Sequence, residues 1–270
     1  MTKFDVVIGN PPYKQGLHLK FLNLAVDMSN KYVIFVQPGS IYVNKQPTRK
    51  SKEMIKAKEK IKNHIIEIDL FESWRYFPDL GIIVPMAVTF LDKSKTSDSF
   101  ILYDKVKNKK YKYNEMDNIH LHGNSKEFLK LYKIFNNFKD TLLNHRNKNV
   151  GPYYVNIPMI RGDLEKGKYY ADKWFSFFKE STIVEKTKSN LFFSFKTEEE
   201  AENFLNFLKT KYAMFGLSLY KISFHQEGWE LLGIPWLDFS QKWTNEKLYK
   251  HFKLAPNEIN FIEENIPTYY

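Results

Sequence analysis

The sequence predicts an α/β protein: a partial sheet built from alternating strands and helices, followed by a mixed, mostly helical domain. Three observations predict it. Short apolar runs punctuated by Gly and Pro recur between residues 4 and 103 and alternate with segments of helical spacing. That rhythm stops near residue 105, where closely spaced lysines begin. Much later, Thr197 opens a long amphipathic segment with Glu200 three residues on, the pattern of a capping box. The division is therefore expected at 1–105 and 106–270.

The elements follow in order. Phe4–Gly9 is a short apolar run ending in Gly and Asn10-Pro11-Pro12, which predicts a buried strand entering a tight loop. Leu17, Phe21, Leu24, Ala25 and Met28 recur at helical spacing. Tyr32–Val36 predicts a second strand, stopped by Pro38-Gly39, and residues 48 to 63 predict a very basic helix. Ile65–Phe71, Ile82–Leu91 and Phe100–Tyr103 complete the strands. Strand–helix alternation favours parallel pairing with right-handed crossovers, and it places reactive residues at the carboxyl ends of strands. Beyond residue 105, a helix carries Phe128, Leu131, Tyr132 and Phe135, and residues 150 to 195 read as irregular and aromatic. The Thr197 helix is expected to run to about Ile222. Two short helices near 244–252 and 256–265 close the chain, the second with Pro256 in its first turn.

Composition narrows the function classes. The 270 residues are 43% hydrophobic, enough for a real core, and include 23 Phe, 17 Tyr and 5 Trp. Lys and Arg outnumber Asp and Glu by 41 to 31, a net charge of +10, which suits either a polyanion binder or merely a lysine-rich soluble surface. With no cysteine, disulfides, thiolate metal sites and cysteine nucleophiles are excluded. No leader pattern or membrane-length apolar run is present, so a cytoplasmic protein is expected.

Asn10-Pro11-Pro12-Tyr13 is the segment that carries chemistry. An exocyclic amine on a nucleobase is a poor nucleophile because its lone pair is delocalised into the ring. Acceptors that hold its hydrogens draw the nitrogen toward tetrahedral geometry. The Asn10 side-chain oxygen and the Pro11 carbonyl can be those acceptors, Pro12 can hold the loop rigid, and Tyr13 can stack on an extruded base. A peptide sorting motif, a purely structural turn, and methylation of a glutamine side chain or of guanine in ribosomal RNA are competing readings of the same four residues.

The stretch Phe4–Tyr13 resembles the catalytic motif of the amino-methyltransferases, in the form found in DNA adenine-N6 enzymes of the restriction-modification type. Residues 17–43, residues 77–93, and a carboxyl-terminal stretch beginning near Thr197 resemble further parts of that family. The resemblance implies a partial Rossmann-like methyltransferase sheet followed by a target-recognition domain. It further implies S-adenosylmethionine as donor, double-stranded DNA as substrate and base flipping as access. The family's glycine-rich donor-binding loop normally precedes the catalytic strand, and no equivalent is found in this sequence. In that fold the catalytic strand lies mid-sheet, so Asp5–Ile8 is expected to present a bare edge covered by a second chain or a second copy. A non-catalytic DNA-binding or accessory protein descended from a methylase is the alternative.

Weaker DNA-binding candidates are Trp74 and Arg75, Lys105, Lys107, Lys109 and Lys110, and Arg161, against default roles in packing or as a polar hairpin. His120 and His122 form a spaced pair without matching carboxylates, so no metal site is expected.

Overall fold

The computed structural model describes residues 3–43, 51–77, 85–105, 108–120, 125–157, 159–162, 176–179, 182–184, 191–220 and 228–266. The chain forms two compact units, Met1–Asn124 and Ser125–Tyr270. The first extends past residue 105 because β5 (Phe100–Asp104) and β6 (Lys109–Tyr113) form a hairpin on its sheet.

The first unit is a six-stranded mixed sheet in the order β1-β2-β4-β3-β5-β6. Strand β1 (Phe4–Gly9) leads through α1 (Leu17–Met28) to β2 (Ser29–Pro38), which pairs with it in parallel. Two helices, α2 (Ser40–Val43) and α3 (Lys52–Ile61), precede β3 (Ile65–Glu72); α4 (Ser73–Tyr76) follows it. Strand β4 (Pro85–Asp92) then turns back between β2 and β3, antiparallel to both. The expected parallel pairing therefore holds for β1 with β2 and β3 with β5, and is corrected for β4 and β6. Apolar runs encode burial and not direction, and β4 is buried on both sides like a parallel strand.

The expectation that Phe4–Gly9 is a buried strand is also corrected. Strand β1 is the end strand of the sheet, paired with β2 alone among the described residues, and Phe4, Val6 and Ile8 are exposed. At the opposite edge, β6 presents Lys109, Lys110 and Lys112, charges of the kind that deter edge-to-edge pairing.

The second unit begins with α5 (Lys126–Asn136), capped by Ser125, and α6 (Leu142–His145). The stretch read as irregular holds strands: β7 (Tyr153–Asn156) lies between β10 (Thr182–Val184) and β11 (Phe192–Phe195), and β8 (Met159–Gly162) pairs with β9 (Ser176–Lys179). The capping box at Thr197 opens α7 (Glu198–Leu208). That helix does not run on as expected. The Thr210 hydroxyl donates to the Phe207 carbonyl at 2.7 Å and accepts from the Ala213 amide at 3.2 Å, closing α7 and starting α8 (Lys211–Tyr220). Helices α9 (Asn245–His251) and α10 (Pro256–Asn265) close the described chain. Their core is aromatic: Phe193, Phe195, Phe204 and Phe239 surround Trp236, and Phe135 packs on Tyr212 and Phe215. Many of the chain's aromatics thus serve packing, in pairs each worth about 0.5–1.5 kcal/mol beyond area burial.

Candidate active site

Strand directions decide which candidates come together. The carboxyl ends of β1, β2, β3 and β5 point the same way, so one end of the sheet gathers Asn10–Tyr13, Pro38–Val43, Ser73–Tyr76 and Lys105. The start of β6, with Lys109 and Lys110, lies at that end as well. This is the end where reactive residues of open α/β sheets belong.

The loop after β1 is built by local chemistry. Gly9 lies against Phe35 of β2: a β-carbon there would sit 2.5 Å from the Phe35 ring, so glycine lets the strand end close to its neighbour. Pro11 is buried and pins the loop, while Asn10 and Pro12 are exposed and Tyr13 is half-buried. Gln15 (φ 52°) and Gly16 (φ 76°) then turn the chain through left-handed conformations into α1. The Tyr13 hydroxyl donates a short hydrogen bond to Asn10 Oδ1. Burial pushes the Tyr13 phenol above its ordinary value, so it remains a donor at neutral pH. A carbonyl oxygen has two lone pairs, so Asn10 Oδ1 can keep the tyrosine bond and accept a second hydrogen.

Two features beneath the loop escape sequence reasoning. His18, in the first turn of α1, is buried with its ring edge-on to Tyr13, centroids 6.2 Å apart. Its two nitrogens have no hydrogen-bond partner of ordinary geometry, and burial lowers its pKa, with the Tyr13 backbone opposing that shift. At the end of β2, Gln37 Nε2 donates to Thr89 Oγ1 at 3.3 Å, and the hydroxyls of Tyr42 and Thr89 lie 2.6 Å apart. This buried polar group lies two residues past Phe35, the β2 partner of Gly9 at the end of β1. The sequence signals were faint: a histidine five residues past Tyr13, and a glutamine within an apolar run.

The basic candidates separate by partner. Lys105 bonds Asp69 at 2.7 Å among the rings of Phe71, Tyr76 and Tyr103; burial lowers its pKa, but Asp69 and Tyr76 together outweigh this and the net shift is upward. Lys110 lies 3.6 Å from Glu67 and over the Tyr103 ring. Lys109 is exposed. Lys107 lies outside the described residues. Trp74 and Arg75 fall on α4 and Arg161 on β8, elements described by their backbone. Lysines of the basic helix are engaged internally, Lys58 with Asp117, Lys60 with Asp27 and Lys62 with Glu59. His120 is buried and His122 lies outside the described residues. Among the described residues, no group of three or more His, Asp or Glu side chains is placed to hold a metal ion, and no helix is long and apolar enough to cross a membrane.

A cleft of about 440 Å³, lined by Lys58, Lys62, Asn63, Asp98, Asn114 and Asp117 among others, opens at the opposite end of the sheet from Asn10. It precedes β3 and β5 and follows β6, so it is separate from the Asn10 loop.

Gly9 and Gly39 at this end of the sheet are packed against protein, so neither offers the open glycine backbone that a donor such as S-adenosylmethionine would lie against. A β-carbon at Gly9 would meet the Phe35 ring, and one at Gly39 would meet Leu70 and the Pro85 backbone.

No protein-family model and no curated protein sequence matches the chain. Solved structures similar to parts of it include a modification subunit from Vibrio vulnificus YJ016, named for a type I restriction enzyme, at 17% identity and TM-score 0.30 over 37% of this chain and 25% of that one. A chain from a type I restriction-modification assembly matches at 15% identity and TM-score 0.30, over 38% of this chain and 24% of that one. The type IIG restriction endonuclease BpuSI matches at 12% identity and TM-score 0.33, over 61% of this chain and 25% of its own. The chain thus spans about a quarter of each of these proteins.

Proposed function

We propose that this chain carries the acceptor-side chemistry of a DNA adenine-N6 methyltransferase of the restriction-modification type. The observation that carries the reading is the exposed Asn10 at a strand's carboxyl end, tied to the half-buried Tyr13 by the hydroxyl bond. An adenine flipped from the duplex would lay its face on Tyr13 and its amine hydrogens on Asn10 Oδ1 and the Pro11 carbonyl. Holding those hydrogens localises the nitrogen lone pair, and fixing the amine in line with a methyl donor supplies much of the remaining acceleration. The transfer is direct, with no covalent intermediate. The donor the reading requires is S-adenosylmethionine. No step of donor binding is assigned to the described residues at the loop, and a partner chain is proposed to hold it.

The test is co-expression of the chain with the reading frames flanking its gene in a methylation-deficient host, followed by mass spectrometry of digested DNA. N6-methyladenine is expected with the native chain. Asn10→Ala should reduce it by about 10²–10³-fold, the size of effect seen when one preorganised hydrogen-bond group is deleted elsewhere. No modified adenine from the native set would remove the reading. The second reading is a non-catalytic DNA-binding descendant of such an enzyme, which the exposed Lys109 and Lys112 would serve equally well. Duplex binding without methylation under the same co-expression would select it.

A further inference from the structure

Among the described residues, few groups hold the loop after β1. Pro11 and Pro12 carry no backbone N–H, so neither can donate to a neighbouring strand. Pro11 is buried, and the Tyr13 hydroxyl ties the loop to itself through Asn10. A further contact comes from His18, the second residue of α1. Side chains on a helix lean back toward its start, and the His18 ring meets Tyr13 edge-on, centroids 6.2 Å apart and planes at 84°. His18 is 7% exposed, and both ring nitrogens are sealed from solvent without a hydrogen-bond partner of ordinary geometry. Burial lowers its pKa, and the Tyr13 backbone opposes that shift, as a carbonyl acceptor facing a ring N–H does.

Filling space does not require those nitrogens. A phenylalanine or leucine would occupy the site without stranding polar atoms, and each buried unpaired polar group calls for an explanation. Here the stranded imidazole meets one residue of the proposed chemistry twice, at its ring and at its backbone. We infer that His18 is the positioning residue of the Asn10 loop: its ring edge and an N–H directed at the Tyr13 carbonyl fix the tyrosine, and through the hydroxyl bond they fix Asn10 Oδ1. A tyrosine so held presents its ring to a base without reorganising, and Asn10 Oδ1 keeps its second lone pair for the amine. The role rests on the Asn10 reading. The coupling from His18 to Asn10 does not, and it is measurable without DNA.

The test compares variants of the intact chain. His18→Phe keeps a ring against Tyr13 and removes both nitrogens, His18→Gln restores a side-chain N–H, and Tyr13→Phe marks the loop with its hydroxyl bond broken. The reporter is the Asn10 side-chain amide in isotope-labelled protein, observed by nuclear magnetic resonance and assigned by its loss in Asn10→Ala. His18→Phe should move that signal toward its position in Tyr13→Phe, and His18→Gln should return it toward the native position. In the co-expression assay His18→Phe should lower methylation by about 10–100-fold, the scale of a reacting group displaced by about 1 Å. Its melting temperature at neutral pH should be no lower than native, and His18→Gln should recover most of the lost methylation. A native Asn10 signal in His18→Phe, or methylation losses that follow melting temperature across the variants, would overturn the inference and leave His18 as packing. If the native set makes no N6-methyladenine, the Asn10 reading fails and the amide signal still decides the coupling.

Discussion

Asn10 and Tyr13 work as a pair, and their substitutions separate two contributions. Tyr13→Phe keeps the ring for stacking and removes the donor to Asn10 Oδ1. Tyr13→Ala removes both. Stacking of a base on an aromatic side chain is worth about 1–3 kcal/mol, so Ala should lower methylation by about 5–150-fold more than Phe does in the co-expression assay. Equal losses would mean that the ring does not touch the base. His18 makes a different prediction, in stability. Burial depresses its folded pKa below the ordinary 6.5. Above pH 6.5 both folded and unfolded chains hold it neutral, and it adds no pH dependence. Below that, the unfolded chain binds the proton first, so stability falls as pH drops through the unfolded value and levels off below the folded one. A series of melting temperatures from pH 7.5 to 5 should show that slope, and His18→Phe should flatten it. The motif was legible from sequence because its chemistry is contiguous. His18 was not, because only packing reveals that its two nitrogens lie buried beside Tyr13.

Helix ends were legible where a cap is spelled out locally, as at Thr197 with Glu200 and at Pro256. The break at Thr210 was not, since a threonine that caps a helix looks the same in sequence as one inside it. Strand direction was likewise hidden, because β4 carries the same apolar run whether it pairs parallel or antiparallel. Close backbone contact is a further property that sequence conceals. Gly216 of α8 meets Gly233 at the end of the 3-10 helix Trp229–Gly233, and a β-carbon on Gly216 would lie 2.3 Å from the Gly233 carbonyl oxygen. A β-carbon on Gly233 would lie 2.0 Å from the Gly216 oxygen, so the approach is closed from both sides. Gly216→Ala should therefore destabilise the second unit by about 1–3 kcal/mol, the usual cost of forcing atoms into packed space, even though alanine is the better helix former. Chemical denaturation followed by tryptophan fluorescence reads it, since Trp236 and Trp243 belong to that unit. An unchanged midpoint would mean that α8 and the 3-10 helix are free to separate.

Over the whole molecule, net charge gave the first hint of a polyanion partner, but charge counted from sequence overstates what is free to meet one. Lys58, Lys60, Lys62, Lys105 and Lys110 each face an acid of the same chain. Lys109 and Lys112 on the β6 edge are exposed and unpaired among the described residues. They stand five strand spacings from β1, about 24 Å across the sheet at roughly 4.8 Å per strand. At that separation they would touch backbone phosphates away from the target base, and such contacts position a protein without specifying sequence. Each phosphate neutralised adds about 0.9 to the slope of log affinity against log salt. Lys109→Ala with Lys112→Ala should therefore lower that slope by about 2 on any duplex, whatever its sequence. Lys105→Ala should leave the slope unchanged and lower the melting temperature, because it strands Asp69 in a half-buried site. Anisotropy titrations of a labelled duplex between about 50 and 200 mM salt, the range over which phosphate contacts dominate affinity, distinguish the two. If Lys105→Ala flattened the slope and the β6 pair did not, the nucleic acid would approach over β3 and β5, and the ion pair with Asp69 would have to open on binding.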